Sequence, residues 1–191
     1  MKKTLIVTAH PSSKGFTHRI AEAYKKGKES KGDSVEILDL YKTDLKQDFL
    51  RYEERADMGN PDPVRDAMHE KITAADNLVL IHPLWWIGAP AILKNWVDVN
   101  ISARYAFHYE KGRPVGHMKG KTASVFITCD GAFWLYGLIA FPFITIWRFG
   151  ILGLCGFKVQ NIKVLFQKFK ATEAKQDAFL RKVESLARRK S

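Results

Sequence analysis

Cysteine is scarce. The 191 residues hold two, Cys129 and Cys155, and neither belongs to a C-x-x-C pair. Two are too few for a disulfide framework, so buried free thiols in a reducing cytosol are expected. Long apolar runs are missing as well. The longest charge-free segment lies between Asp130 and Arg148 and contains Gly137 and Pro142, and a spanning helix needs roughly 20 apolar residues. The start, Met1 to His10, has a basic end but a short apolar run, so it reads as a first strand rather than a signal peptide. Acidic residues are in deficit: 20 Asp and Glu stand against 31 Lys and Arg, for a net charge of +11. Such an excess suits nucleic acid, anionic lipid or phosphorylated ligands, although a merely basic soluble protein shows it too. Neither the G-x-G-x-x-G nor the G-x-x-x-x-G-K-[ST] pattern occurs. His108 and His117 have no third ligand at metal spacing, so no zinc site is expected. There is no repeat, low-complexity tract or linker, and one domain over 1–191 is the natural reading.

What is present centres on His82-Pro83-Leu84-Trp85-Trp86-Ile87-Gly88-Ala89-Pro90, with Trp96 shortly after. Three of the five tryptophans fall here. The stretch follows an apolar run, Leu78 to Ile81, and leads into a helix from Pro90 to Ser102. Leu5 to Ala9 is a similar run, as expected for a parallel strand covered on both faces. Thr17 then caps a helix running to about Lys31, with Ile20, Ala23, Tyr24 and Gly27 on its inner face. Val35 to Leu40 is a second strand. Residues 41–61 are charged and aperiodic, with room for one short helix. Asp62-Pro63 opens a further helix, Asp as N-cap and Pro in the first turn. Residues 105–121 read as a loop, and Lys121 to Thr128 as a fourth strand. Phe133 to Leu154 reads as helical with a break near Pro142. A fifth strand falls between Gly156 and Phe166. Thr172 caps the last helix, with Phe179, Val183, Leu186 and Ala187 inward. Strands alternating with helices imply βαβ units and a parallel sheet. Five strands fit a flavodoxin-like three-layer sandwich in the order 2-1-3-4-5, whose ligand crevice opens between strands 1 and 3.

Three turns border that crevice. Ser12, Ser13, Gly15 and Thr17 precede a helix, where free N–H groups and the helix dipole favour an anion, and His10 can add a donor. Simple caps are the plainer alternative. Pro83 to Ile87 can lie along a planar ring, or Trp85 and Trp86 can plug the core. Two adjacent residues cannot share one face of a regular element, so at least one of them points to a cavity or partner. Thr128-Cys129-Asp130-Gly131 ends the fourth strand, either as donors to a ring edge or as a tight turn needing Gly131. Nothing in the sequence marks Cys129 as a nucleophile. The aromatics between Gly131 and Trp147 divide between core, interface and pocket wall. From Lys170 onward, Lys and Arg outnumber Asp and Glu, which suits a solvated face or a membrane-surface or acidic-partner patch.

Three segments together carry a resemblance: Leu5-Ile6-Val7-x-Ala9-His10-Pro11, Pro83-Leu84-Trp85-Trp86-Ile87-Gly88-Ala89-Pro90-Ala91-Ile92-Leu93-Lys94-x-Trp96, and Gly150-Ile151-Leu152-x-x-Cys155-Gly156-Phe157. They resemble the NAD(P)H:quinone oxidoreductases of the DT-diaphorase type, with the drug-modulator quinone reductases and the ancillary flavoproteins of potassium-efflux systems as bacterial relatives. The resemblance implies a flavin, FMN or FAD, with its phosphate held by His10, Ser12, Gly15, Phe16 and Thr17. It implies an isoalloxazine along Pro83, Leu84, Trp85, Trp86 and Ile87, with Thr128, Cys129, Asp130 and Gly131 at its other edge. Asp130 departs from the family's T-T-G-G turn, and its charge opposes that of reduced flavin unless the side chain points away. The family's charge-steadying Tyr matches Tyr136, implied as catalytic, but the partner His falls on Pro142. Phe107 and Tyr109 match pocket-lining aromatics, and Trp134 is assigned to the same wall. The implied activity is ping-pong two-electron transfer from NAD(P)H to a quinone-like acceptor, in a cytoplasmic homodimer without a nucleic-acid partner. A flavin-bearing regulatory subunit in contact with a transporter or membrane, and a simple electron carrier, are the other readings.

Overall fold

The structure is a computed structural model and describes residues 1–54 and 60–189, excluding the side chains of 136–140. Five apolar runs form one parallel sheet. Its strands are β1 (Lys3–Thr8), β2 (Ser34–Asp39), β3 (Asn77–Pro83), β6 (Thr122–Thr128) and β7 (Lys158–Leu165), in the order β2-β1-β3-β6-β7. Every residue of β3 and β6 is buried, which is why these two lack polar alternation. Alternate side chains serve opposite cores. Leu5 and Val7 pack with Leu78, Leu80, Val125 and Ile127, whereas Ile6 joins Val79, Ile81 and Phe126. The order is the one expected. Two further strands, β4 (Phe107–Glu110) and β5 (Arg113–Gly116), form a separate antiparallel hairpin.

The helices α1 (Phe16–Glu29) and α5 (Glu173–Arg188) cover one face through Ile20, Tyr24, Val183 and Ala187. On the other face, α2 (Pro63–Ala74) and α3 (Ala91–Asn100) supply Met68, Ile72, Leu93 and Trp96. Among the described residues no helix is long and apolar enough to cross a membrane.

Local chemistry explains most boundaries. The Asp62 side chain accepts from Val64 N and Arg65 N, both at 3.0 Å, with Pro63 in the first turn. Thr172 accepts from Lys175 N at 3.3 Å. Asp62→Ala should cost about 1 kcal/mol, read as a lower urea midpoint with an unchanged slope; an unchanged midpoint would show that this cap is dispensable.

Three expectations need correction. Thr17 does not cap α1: Gly15 occupies the N-cap position without a side-chain bond, and Thr17 is buried inside the first turn. Residues 105–121 are not a plain loop, because they contain the hairpin. The short helix allowed in 41–61 is absent from 41–54 and 60–61, and 55–59 lie outside the described residues. The break near Pro142 is absent: α4 (Phe133–Thr145) passes through the proline and continues as a π-helix, Ile146–Gly153. A proline removes one helical N–H. The change of register comes four residues later, and at its C-terminal end Leu154 N bonds Phe149 O at 3.1 Å and Phe157 N bonds Leu152 O at 3.0 Å.

Candidate functional site

The carboxyl ends of β1, β3 and β6 are stitched side by side. Ala9 N donates to Ile81 O at 3.1 Å, Leu84 N to Thr128 O at 2.8 Å, and Cys129 N to Leu165 O at 2.9 Å. These three bonds set the 10–17, 83–88 and 128–131 turns along one rim, at the crevice where an open parallel sheet binds ligands. The three turns singled out from the sequence are therefore neighbours in space.

The first turn is tightly built. His10 Nδ1 lies 3.1 Å from both N and O of Ser12. Ser12 Oγ accepts from Lys14 N at 3.3 Å, and Ser12 O from Gly15 N at 3.0 Å. Gly15 is required by space, not by conformation: its φ is −61°, and a Cβ there would sit 2.4 Å from His10 Nδ1. Phe16 is buried beneath, with the Arg19 guanidinium 5.1 Å from its ring. The Thr17 hydroxyl is buried with no hydrogen-bond partner among the described residues. An unmet buried hydroxyl costs about 1–3 kcal/mol. Set in the first turn of α1, where N–H groups lack helical partners, it fits a phosphate-bearing ligand.

The second turn projects aromatics. Trp85 N donates to Gly88 O at 3.0 Å and Gly88 N to Trp85 O at 2.9 Å. The two residues between them, Trp86 and Ile87, both have positive φ, 50° and 60°. Left-handed backbone at a β-branched residue is strained, and strain of this kind clusters at ligand clamps. Trp86 is fully exposed, Trp85 and Ile87 are partly so, and Leu84 packs against the core. Both tryptophans therefore face outward, and neither plugs the core.

Directly behind this turn lies His82, fully buried. Its Nδ1 donates to Pro83 O at 2.8 Å, and its ring packs against Phe143 and Trp147 at 5.7 and 5.6 Å. Burial lowers its pKa to about 4, so the imidazole is neutral across the ordinary range.

In the third turn, Gly131 N donates to Cys129 Sγ at 3.3 Å. Burial pushes the Cys129 thiol above its ordinary pKa, which keeps it protonated and unreactive. Asp130 is engaged away from the rim's centre: its carboxylate accepts from Phe169 N at 3.1 Å. The short 3-10 turn Lys168–Lys170 that presents this N–H also gives Lys168 N to Cys129 O at 3.0 Å, and Gln167 N reaches Gly131 O at 3.3 Å. Residues 167–169 therefore belong to the rim although the sequence reading passed them over. A Lys-Phe-Lys run between a strand and a helix was the available signal.

The remaining residues are more dispersed. Tyr136 lies outside the described side chains. Trp134 is 78% exposed on the first turn of α4. Phe107 and Tyr109 meet edge to face at 5.7 Å. Phe107 also lines a cavity of about 670 Å³ walled by α3, residues 49–52 and residues 150–155, rather than by the three turns.

A five-stranded parallel sheet in this order, with three turns gathered at its carboxyl edge, defines a flavodoxin-like α/β protein. A family described as having a flavodoxin-like fold matches residues 2–187. The chain is 36% identical over 128 residues to an uncharacterized NAD(P)H oxidoreductase of Haemophilus influenzae, an alignment covering 65% of this chain and 62% of that one. It is 28% identical over 188 residues to the ribosyldihydronicotinamide dehydrogenase [quinone] of Mus musculus, covering 86% and 81%. The crystal structure of Smu.1420 from Streptococcus mutans UA159 superposes with a TM-score of 0.85 at 28% identity, covering 97% and 98%. The chain belongs to the flavodoxin-like NAD(P)H:quinone oxidoreductase family.

Proposed function

We propose that the chain is a flavin-dependent NAD(P)H:quinone oxidoreductase working by a ping-pong route, in which the nicotinamide leaves before a flat acceptor enters. The observation that carries this reading is the convergence of the 10–17, 83–88 and 128–131 turns on one rim. The flavin, as FMN or FAD, supplies hydride acceptance and two-electron delivery. The protein's part is to bind and orient. His10, Ser12, Gly15, Phe16 and Thr17 hold the phosphate through the first turn of α1. Pro83, Leu84, Trp85, Trp86 and Ile87 lie along the ring, and Thr128, Cys129 and Gly131 meet its far edge. The bond from Phe169 N to the Asp130 carboxylate supports a side chain turned away from the ring's edge.

Tyr136 is the side chain proposed to steady charge on the ring, without the His that relatives place six residues on. Phe107, Tyr109 and Trp134 are proposed to line the acceptor pocket in a homodimer. Phe133, Trp134, Phe141 and Phe149, large apolar side chains exposed along α4 and the π-helix, support the dimer.

The test is anaerobic. Protein reconstituted with FMN or FAD is mixed with NADH or NADPH, flavin absorbance is followed, and a quinone is then added. Bleaching by the nicotinamide followed by recovery with the quinone is expected. Failure to retain either flavin would sink the whole reading, whereas bound flavin that neither nicotinamide bleaches would make the chain an electron carrier.

A further inference from the structure

The β4–β5 hairpin brings together two side chains that the sequence keeps nine positions apart. His108 lies in β4, and His117 directly follows β5. His108 Nδ1 and His117 Nε2 are 2.7 Å apart, and both rings are exposed. His117 is held from behind: its Nδ1 donates to Tyr105 O at 2.8 Å. That bond fixes the tautomer and leaves the Nε2 lone pair facing His108. A ring N–H anchored on a backbone carbonyl is the usual outer support of a metal-bound imidazole.

We propose that His108 and His117 form a two-imidazole site for a first-row divalent transition ion, with water completing its coordination. Binding shifts the His108 proton from Nδ1 to Nε2, so that two neutral rings present lone pairs. With metal–nitrogen bonds of about 2.0–2.1 Å, two nitrogens at a right angle stand about 2.9 Å apart, and at a tetrahedral angle about 3.3 Å. The observed 2.7 Å is nearer the first, and a small swing of two exposed rings closes the difference. Cu(II) is preferred over Zn(II) by its place in the affinity order for nitrogen ligands.

No group of three or more His, Cys, Asp or Glu able to hold a metal exists among the described residues, so the site is a two-ligand one and its exchange is fast. Its effect is mechanical. Phe107 and Tyr109 occupy the positions either side of His108 in β4 and so project from the opposite face of the strand. The ion ties the hairpin's two arms together behind them. The hairpin is seated through Gly116, where a Cβ would lie 2.2 Å from the Cys155 carbonyl carbon.

The site does not depend on the flavin reading, and its test uses copper alone. Cu(II) is titrated into the full chain by calorimetry and followed by electron paramagnetic resonance. One ion per chain with two coordinated imidazole nitrogens is expected, and His108→Ala and His117→Ala should each weaken binding at least tenfold. The resonance of the wild-type protein needs no variant to be read. The proposal is overturned if the wild type binds no ion, if its spectrum shows no pair of imidazole nitrogens, or if either alanine variant binds as the wild type does.

Discussion

Acidification from about pH 7 to about pH 4.5 should cost the wild-type protein about 2.4 kcal/mol more stability than it costs a His82→Phe variant. His82 is wholly buried and its pKa is lowered to about 4, whereas an unfolded chain has an ordinary imidazole pKa of about 6.5. The unfolded state therefore takes up a proton as pH falls through about 6.5, and the folded state resists until about 4. Stability declines across that window and levels off below it. The 2.5-unit gap implied by these two values corresponds to about 3.4 kcal/mol in full, of which the step from about pH 7 to about pH 4.5 realises about 2.4. Phenylalanine can occupy the space beside Phe143 and Trp147 without titrating, although it gives up the bond to Pro83 O, worth about 1 kcal/mol at every pH. Urea unfolding of both proteins at the two pH values measures the difference. Equal losses would show that His82 is not what responds to acid in this fold.

Gly15→Ala should lower flavin affinity at least tenfold while the sheet stays folded. The backbone at Gly15 is one that alanine adopts readily, so the effect is steric alone. The new methyl group would sit 2.4 Å from His10 Nδ1, and the ring must leave. With it go the 3.1 Å contacts to Ser12 that shape the turn. A double variant sharpens the reading. In His10→Ala the obstacle is gone, so adding Gly15→Ala should cost little further, a non-additivity expected only when two positions share one space. Fluorescence titration with FMN reads all three proteins. Additive losses would mean that Gly15 acts by some route other than His10.

The parts of the architecture that read plainly in sequence were those fixed by local rules. The runs in β1, β3 and β6 are apolar throughout because both faces are covered, and the Asp62-Pro63 and Thr172 caps are set by the residues themselves. The three turns were legible because each ends such a run, and the Pro83–Trp96 motif carries its family's pattern. Features that depend on distant partners were hidden. Thr17 resembles a cap, yet the loop seats Gly15 there so that His10 can lie against it. The hairpin's four-residue arms, one holding Pro114, carry a weak strand pattern and are seated by Gly116 against Cys155. Asp130 looked like an intruder at the rim until residues 167–169 folded back to meet it. Pro142 suggested a break, but α4 runs on through it to the buried Phe143 and Trp147.

The π-helix at 146–153 has a consequence for the length of the chain. Trp147 and Leu152 are both buried, although five residues apart they would diverge on an α-helix; in the wider winding, five residues make little more than a full turn. The segment thus behaves as an α-helix that has gained one residue and absorbed it as girth. Deleting one residue, such as Gly150, would let the helix tighten without moving the ends that α4 and β7 fix. A chain one residue shorter at this place is expected to keep the same sheet.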